Sequence, residues 1–236
     1  MTIDLRASNT PGDPASRGEI EAVIFDLDGV LADTEVIHLE ASRRVIAPAE
    51  LNLEEYAQFI GGGWQPYVSW IEVTYGIPVA EFDARYTPAI VEALRFGPSP
   101  AMAGADALVR AVVRRDLRVA VASMSKREWV EPTLEAIGLR ALFPLVVTLD
   151  DIERPKPDPE IYLHAAALLG VAPEACIAVE DSVHGVASAA AAGMRVVQVR
   201  QASLPSDPQP GAHAVIDSFL DFDLAWLDGQ PVGPRA

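Results

Sequence analysis

Short apolar runs punctuate this chain at Val23–Leu27, Val119–Ala122, Leu145–Thr148, Ile177–Val179 and Val196–Val199, with a weaker one at Ala214–Ile216. Between most of them lie segments of helical periodicity: Ala105–Arg115, Trp129–Ile137, Pro159–Leu169 and Val183–Ala192. Strands alternating with helices of this length predict an α/β fold, a three-layer parallel sheet with helices on both faces. In such folds ligands bind beyond the carboxyl ends of the strands. The residues that follow each apolar run are therefore the first candidates for a site.

Residues 35–97 break the alternation. They read as helices at Val36–Ile46, Leu53–Ile60, Gln65–Tyr75, Val79–Tyr86 and Pro88–Phe96, interrupted by Gly61-Gly62-Gly63 and closed by Gly97-Pro98-Ser99-Pro100. A helical block inserted after the first strand predicts a small α-helical cap, residues 35–97, with hinges at Ala32–Glu35 and Phe96–Pro100. The core is then 19–34 together with 98–236, Gln201–Ala212 is a proline-bearing loop, and 1–18 is a disordered polar tail.

Composition removes several function classes. With 236 residues, 50% of them hydrophobic, the chain can bury a large core. No apolar run approaches the ~18–20 residues that cross a bilayer. The polar start lacks the apolar segment of a signal peptide, so a soluble, cytoplasmic protein is expected. The single cysteine, Cys176, sits in an apolar run and reads as a core thiol. A net charge of −16 argues against a nucleic-acid groove.

The chemistry concentrates where the first run ends. Asp26 and Asp28 stand two apart with Gly29 directly after them. In a regular strand they would face opposite ways, but a turn at Gly29 brings both acids to one cavity. Neighbouring carboxylates repel, so they need a shared proton or a cation, and Mg²⁺ suits such a cluster. Alone, the pattern also fits a strand ending in an Asp-bearing turn. Of 18 basic residues only Lys126 and Lys156 are lysine, and each follows a strand-like run. A compact ammonium suits a phosphate or a carboxylate cluster.

Four separated motifs occur in order: Asp26-Leu27-Asp28-Gly29-Val30 followed by Asp33-Thr34-Glu35, then Val121-Ala122-Ser123-Met124-Ser125-Lys126, Pro155-Lys156-Pro157-Asp158-Pro159, and Val179-Glu180-Asp181-Ser182 with Gly185. Together, across Glu19–Ile216, they resemble the haloacid-dehalogenase-like superfamily in its branch of sugar phosphatases and beta-phosphoglucomutases. The resemblance implies a Rossmann-like catalytic core carrying an inserted helical cap. It implies that Asp26 is the nucleophile and Asp28 the general acid/base, with Ser123 and Lys156 binding the phosphoryl group. Asp26, the backbone carbonyl of Asp28, and Asp181 would hold Mg²⁺, and Glu180 would ligate directly or through water. Glu35, His38, Gly62, Trp64, Met124, Ser125 and Lys126 are the candidates for contact with substrate. For several of these a second reading stays open: Glu35 could cap a helix, and Lys126 could begin one as a solvated residue.

Within the branch, the residues narrow the reaction. A dehalogenase leaves Asp28 without a role, and a phosphonatase needs a cap lysine, whereas residues 35–97 contain none. A mutase must hold a second phosphate in the cap. Beta-phosphoglucomutase places an arginine three residues after the cap glycine, and counting from Gly61 this chain has Trp64. The expectation is a Mg²⁺-dependent phosphatase acting on a sugar, polyol or other small phosphorylated metabolite. A phosphosugar mutase, or a catalytically silent binding module, is the alternative. No nucleic-acid or membrane partner is expected, and the chain reads as a monomer or weak homodimer.

Overall fold

The apolar runs become β1 (Ala22–Phe25), β2 (Arg118–Ala122), β3 (Leu145–Val147), β4 (Cys176–Glu180), β5 (Arg195–Val199) and β6 (Ala214–Ile216). They form one six-stranded parallel sheet in the order β3-β2-β1-β4-β5-β6. The computed structural model describes residues 19–60, 63–97 and 100–233. The expected tail 1–18, the triple-glycine positions Gly61 and Gly62, and part of the second expected hinge lie outside the described residues.

Register explains how the fold gathers a site. Phe25 at the end of β1 is level with Val121 on one side and Val179 on the other. The residues just beyond these three, Asp26, Ala122-Ser123 and Glu180-Asp181, therefore emerge at one edge of the sheet. The amide of Asp26 donates to the Val179 carbonyl (2.9 Å), which extends the pairing one residue past the strand and fixes the acid's starting point.

Both faces are covered, so the strands are apolar on both sides. Val23 and Phe25 point to a cluster with Leu108, Val109 and Val112 of α5 (Ala105–Val113) and Val130 and Leu134 of α6 (Arg127–Ala136). Ala22 and Ile24 point the other way, toward Ile161, Tyr162 and Ala165 of α7 (Glu160–Leu169) and Val186 and Ala189 of α8 (Val183–Ala191). That second face also carries Ala120, Ala122 and Ala178, small residues that let α7 and α8 approach closely. Cys176 lies in this layer, fully buried. Among the described residues no helix is long and apolar enough to cross a membrane.

Residues 35–97 form a separate helical block: α1 (Glu35–Ile46), α2 (Leu53–Ala57), α3 (Trp64–Tyr75) and α4 (Val79–Phe96). Asn52 and Glu55 start α2 with reciprocal side-chain to backbone bonds of 2.9 and 3.1 Å. The sequence predicts two helices where α4 runs unbroken through Pro88. Proline removes one backbone donor and crowds the preceding turn. Here it sits on the exposed face, while Phe82, Tyr86, Ile90 and Leu94, spaced four apart, form one buried stripe on the opposite face. Burial of that stripe outweighs the lost bond.

The block has its own apolar centre, yet one of its buried members comes from the core. Trp129 of α6, 2% exposed, packs among Leu39, Tyr67, Phe82 and Tyr86. Its ring lies 4.7 Å from Trp64 and 5.4 Å from Tyr86 between centroids. Trp129→Ala should lower unfolding free energy by about 3–5 kcal/mol, the usual range for emptying a buried aromatic site. Urea unfolding followed by circular dichroism checks this, and a loss below about 1 kcal/mol would contradict Trp129 as the joint between the two parts.

Candidate active site

Lys156 is the centre of the site, with a side chain only 3% exposed. Its ammonium donates to Asp26 Oδ1 (2.7 Å), Glu180 Oε1 (2.6 Å) and the Ala122 carbonyl (3.1 Å), so all of its protons are directed at acceptors. Burial lowers the Lys156 pKa, but Asp26 and Glu180 more than offset this and leave it raised. The ammonium stays charged.

Glu180, at the end of β4, has both oxygens committed. Oε1 accepts from Lys156 and from the Tyr162 hydroxyl (2.7 Å), while Oε2 accepts from the amides of Asp181 and Ser182 (3.0 and 3.3 Å). The carboxylate lies against Gly185 in the first turn of α8, where any Cβ would overlap it. Gly29 has the same function for the neighbouring acid: its φ of +80° favours glycine, and a Cβ there would overlap the Asp181 carboxylate. Each glycine of the motifs thus makes room for an acid. The Asp181 carbonyl is held from behind by the Ser206 hydroxyl and by Gln198 of β5 (3.3 Å).

One oxygen each of Asp26, Glu180 and Asp181 lie within 4.8 Å of one another, all three residues buried. Burial raises Asp26 and Asp181 well above the carboxylate range. Lys156 opposes this at Asp26, and Glu180 reinforces it at both. One ammonium cannot balance three carboxylates out of water. An all-oxygen, acidic donor set of this kind suits a hard divalent cation such as Mg²⁺.

Asp28 occupies different surroundings. Its Oδ1 accepts from Thr34 Oγ1 (2.5 Å), and its Oδ2 from Ser123 Oγ (3.0 Å) and Ser125 Oγ (2.8 Å). Its carboxylate thus faces the hydroxyls that follow β2 and the start of α1, not the three-acid cluster. Only its backbone carbonyl is left for the metal role that the sequence suggests. His38 Nε2 stands 3.9 Å from Asp28 Oδ1, and its Nδ1 meets the Tyr86 hydroxyl. Burial lowers the His38 pKa, with Asp28 opposing, which favours the neutral imidazole.

These groups border a cavity of about 110 Å³ between sheet edge and helical block. Asp26, Asp28, Lys156 and Asp181 form its floor, and Glu35, His38, Trp64, Met124 and Ser125 also line it. Ser123 and Glu180 sit just behind the lining, fully buried. Lys126 stands apart: its ammonium pairs with Asp83 of α4 (2.6 and 2.7 Å) and lies 5.5 and 5.0 Å from the Trp64 and Trp129 ring centres. It connects core and block instead of reaching the cavity lining. Gly62 lies outside the described residues, and its neighbour Gly63 lines the cavity.

Sequence reasoning missed three sets of residues here. The aromatic wall of Tyr56, Phe59, Tyr67, Tyr86 and Trp129 has the spacing of ordinary core positions. Thr34 precedes a helix, as many threonines do, and Tyr162 is one apolar-face residue of α7. Only the fold turns these toward an acid.

A family model for haloacid dehalogenase-like hydrolases matches residues 20–193. The chain is 35% identical to YhcW of Bacillus subtilis over 184 residues, 76% of this chain and 83% of that protein. It is 30% identical to hexitol phosphatase B of Escherichia coli over 203 residues, 81% of this chain and 88% of the relative. Among solved structures, CbbY from Rhodobacter sphaeroides in complex with phosphate superposes with a TM-score of 0.80 at 29% identity, covering 89% of this chain and 99% of that one.

Glu35 gives the site a measurable pH signature. Burial raises its pKa from 4.5 to about 7, although the Tyr56 hydroxyl (2.6 Å) opposes the shift. A raised carboxyl pKa costs no stability below the unfolded value. The cost grows as pH rises from 4.5 to about 7 and is complete above that. Glu35→Gln should therefore stabilise the protein by on the order of 1–3 kcal/mol at about pH 8 and leave it unchanged near pH 4. Urea midpoints at the two pH values check this, and equal effects at both would refute the assignment.

Proposed function

Because the chain belongs to the haloacid dehalogenase-like hydrolase family, we propose that it is a Mg²⁺-dependent phosphatase of a small phosphorylated metabolite, a sugar or polyol phosphate. The observation that carries this reading is the pair of acids at the end of β1, held in two different environments on one cavity floor. Asp26 is oriented by Lys156 with its amide fixed on β4, and Asp28 is oriented by three hydroxyls.

Asp26 attacks phosphorus, and as its oxygen–phosphorus bond forms the bond to the leaving oxygen breaks. Asp28, entering as the acid, gives its proton to that leaving oxygen. It then takes a proton from a water, whose oxygen attacks the phosphorus of the aspartyl phosphate. The bond to Asp26 breaks, inorganic phosphate leaves, and both acids return to their starting states. Lys156 supplies the positive charge beside the phosphoryl group along this path, Ser123 acts from behind the lining through its hydrogen bond to Asp28, and the helical block acts as a cap over the leaving group. Asp26, Asp181 and the Asp28 carbonyl would hold Mg²⁺, with Glu180 behind them; when bound, the ion offsets the charge of an anionic nucleophile meeting an anionic substrate.

The mutase alternative needs a basic group in the cap to hold a second phosphate. Trp64 stands among aromatic rings, and no arginine lines the cavity among the described residues. A silent binding module is disfavoured because Asp26, Asp28, Glu180 and Asp181, the acids such a module usually loses, are all present.

Phosphate release should require added Mg²⁺ and vanish in Asp26→Asn, whose amide matches the acid in shape but is a poor nucleophile. Asp28→Asn should lower kcat by ~10²–10⁴-fold, the usual share of general acid/base catalysis. Turnover by a clean Asp26→Asn preparation, or isomerisation of a sugar phosphate without net phosphate release, would refute the reading.

A further inference from the structure

We infer that the site selects, by charge, phosphate monoesters whose leaving group carries no anion of its own, and so rejects bisphosphates and phosphorylated acids. This rests on the phosphatase reading and adds the class of its substrate. The argument begins with where the positive charge is. Of the residues bordering the cavity, Lys156 is the only lysine or arginine among those described, against Asp26, Asp28, Glu35 and Asp181. Lys156 lies on the floor with the nucleophile, where the transferred phosphoryl group must sit.

Among the described residues, the compartment left for the rest of the substrate has no cation in its lining. Its walls are Tyr56, Phe59, Trp64, Tyr67, Tyr86 and Trp129, and its one charged group is Glu35, hydrogen-bonded to Tyr56. The nearest further cation, Lys126, lies behind Trp64 and Trp129 and is neutralised by Asp83. The arginines of the helical block do not compensate. Arg43 bonds the Leu51 carbonyl and Glu40, Arg85 pairs with Glu81 on the surface of α4, and Arg44 and Arg95 are exposed outside the lining. A second phosphate or a carboxylate in this compartment would lose its water, meet no cation among the described residues and face the Glu35 carboxylate, with only neutral donors such as the Tyr67 hydroxyl and the Trp129 indole N–H in return. A neutral sugar or polyol loses much less. Its apolar face packs on the rings and its hydroxyls can donate to Glu35 and His38. An ammonium substituent would be accepted as readily, through Glu35 and the ring faces.

The test compares matched substrates that differ only in the charge of the leaving group. One series is a hexose monophosphate, its amino-sugar counterpart, the hexose bisphosphate and the phosphorylated hexonate. The other is phenyl phosphate with neutral, aminomethyl and carboxylate substituents. In whichever series is turned over with Mg²⁺, kcat/KM for the anionic members should be lower than for the neutral one by on the order of 100-fold, as expected for an unpaired buried charge. The cationic member should be at least equal to the neutral one. Ile60→Lys, a change at the half-buried rim of the cavity, should narrow the anionic penalty by about tenfold or more. Anionic and neutral members turned over alike, or an unchanged ratio in folded Ile60→Lys, overturns charge selection while leaving the phosphatase reading intact. No phosphate release in either series overturns both.

Discussion

A single buried ammonium orders this site. Lys156 reaches the sheet edge from the loop before α7 and ties together the ends of three adjacent strands: Asp26 after β1, the Ala122 carbonyl of β2 and Glu180 of β4. Those strands are in register, so the three acceptors converge where one cation can meet them all. The arrangement is poor as a device for stability. Desolvating two acids and an ammonium costs more than most such pairs return, and an apolar substitute of equal volume often does as well. The excess of negative charge around Asp26 and Asp181 makes the balance worse still. Buried charge retained at such cost fits a site organised for a cation and a phosphoryl group.

The helical block is joined to this centre by contacts of unlike kinds. Trp129 leaves the core helix α6 to complete the block's apolar cluster, and Lys126, just before that helix, pairs with Asp83 of α4. Thr34, immediately before α1, binds the second acid directly. Three residues that follow β2, Ser123, Ser125 and Lys126, therefore face either Asp28 or the block. The segment after β2 is the place where chemistry and cover are coupled. It explains why one short motif carries two serines with one task and a lysine with another.

Much of this was legible in the sequence. The alternation of apolar runs and helices gave the parallel sheet with its helices on both faces. The acids, Ser123 and Lys156 could be grouped through the four motifs and the family they resemble; the acids and Ser123 follow strand ends, whereas Lys156 comes from the loop before α7. Less could be read from residues whose role depends on direction. Pro88 reads locally as a break, yet it faces solvent while a buried stripe of Phe82, Tyr86, Ile90 and Leu94 holds the helix together across it. Lys126 and Lys156 look equivalent as lysines after strands, but one enters the sheet edge and the other turns to Asp83. The aromatic wall was invisible for a related reason. Rings that line a cavity and rings that fill a core obey the same periodicity, and only the gap between block and sheet distinguishes them.

The separation of Asp26 from Asp28 shows how two identical side chains can carry different chemistry. Acids assigned opposite proton roles need surroundings that treat charge differently. Asp26 is bound to an ammonium and adjoins two further carboxylates, so its charge is governed by ions, the Lys156 cation and any metal that joins it. Asp28 meets no lysine or arginine among the described residues. Its partners are three hydroxyls and, at 3.9 Å, a histidine whose neutral form burial favours. Hydroxyls can donate to a carboxylate and, by rotating, accept from a carboxylic acid. Such an environment can hold Asp28 in one orientation in either protonation state, which the proposed acid/base role requires. Had the same hydroxyls surrounded Asp26, or the same ammonium Asp28, neither acid would suit the role proposed for it. The turn at Gly29, which sets one carboxylate on the floor and the other toward β2, is therefore the step at which this sequence becomes an active site.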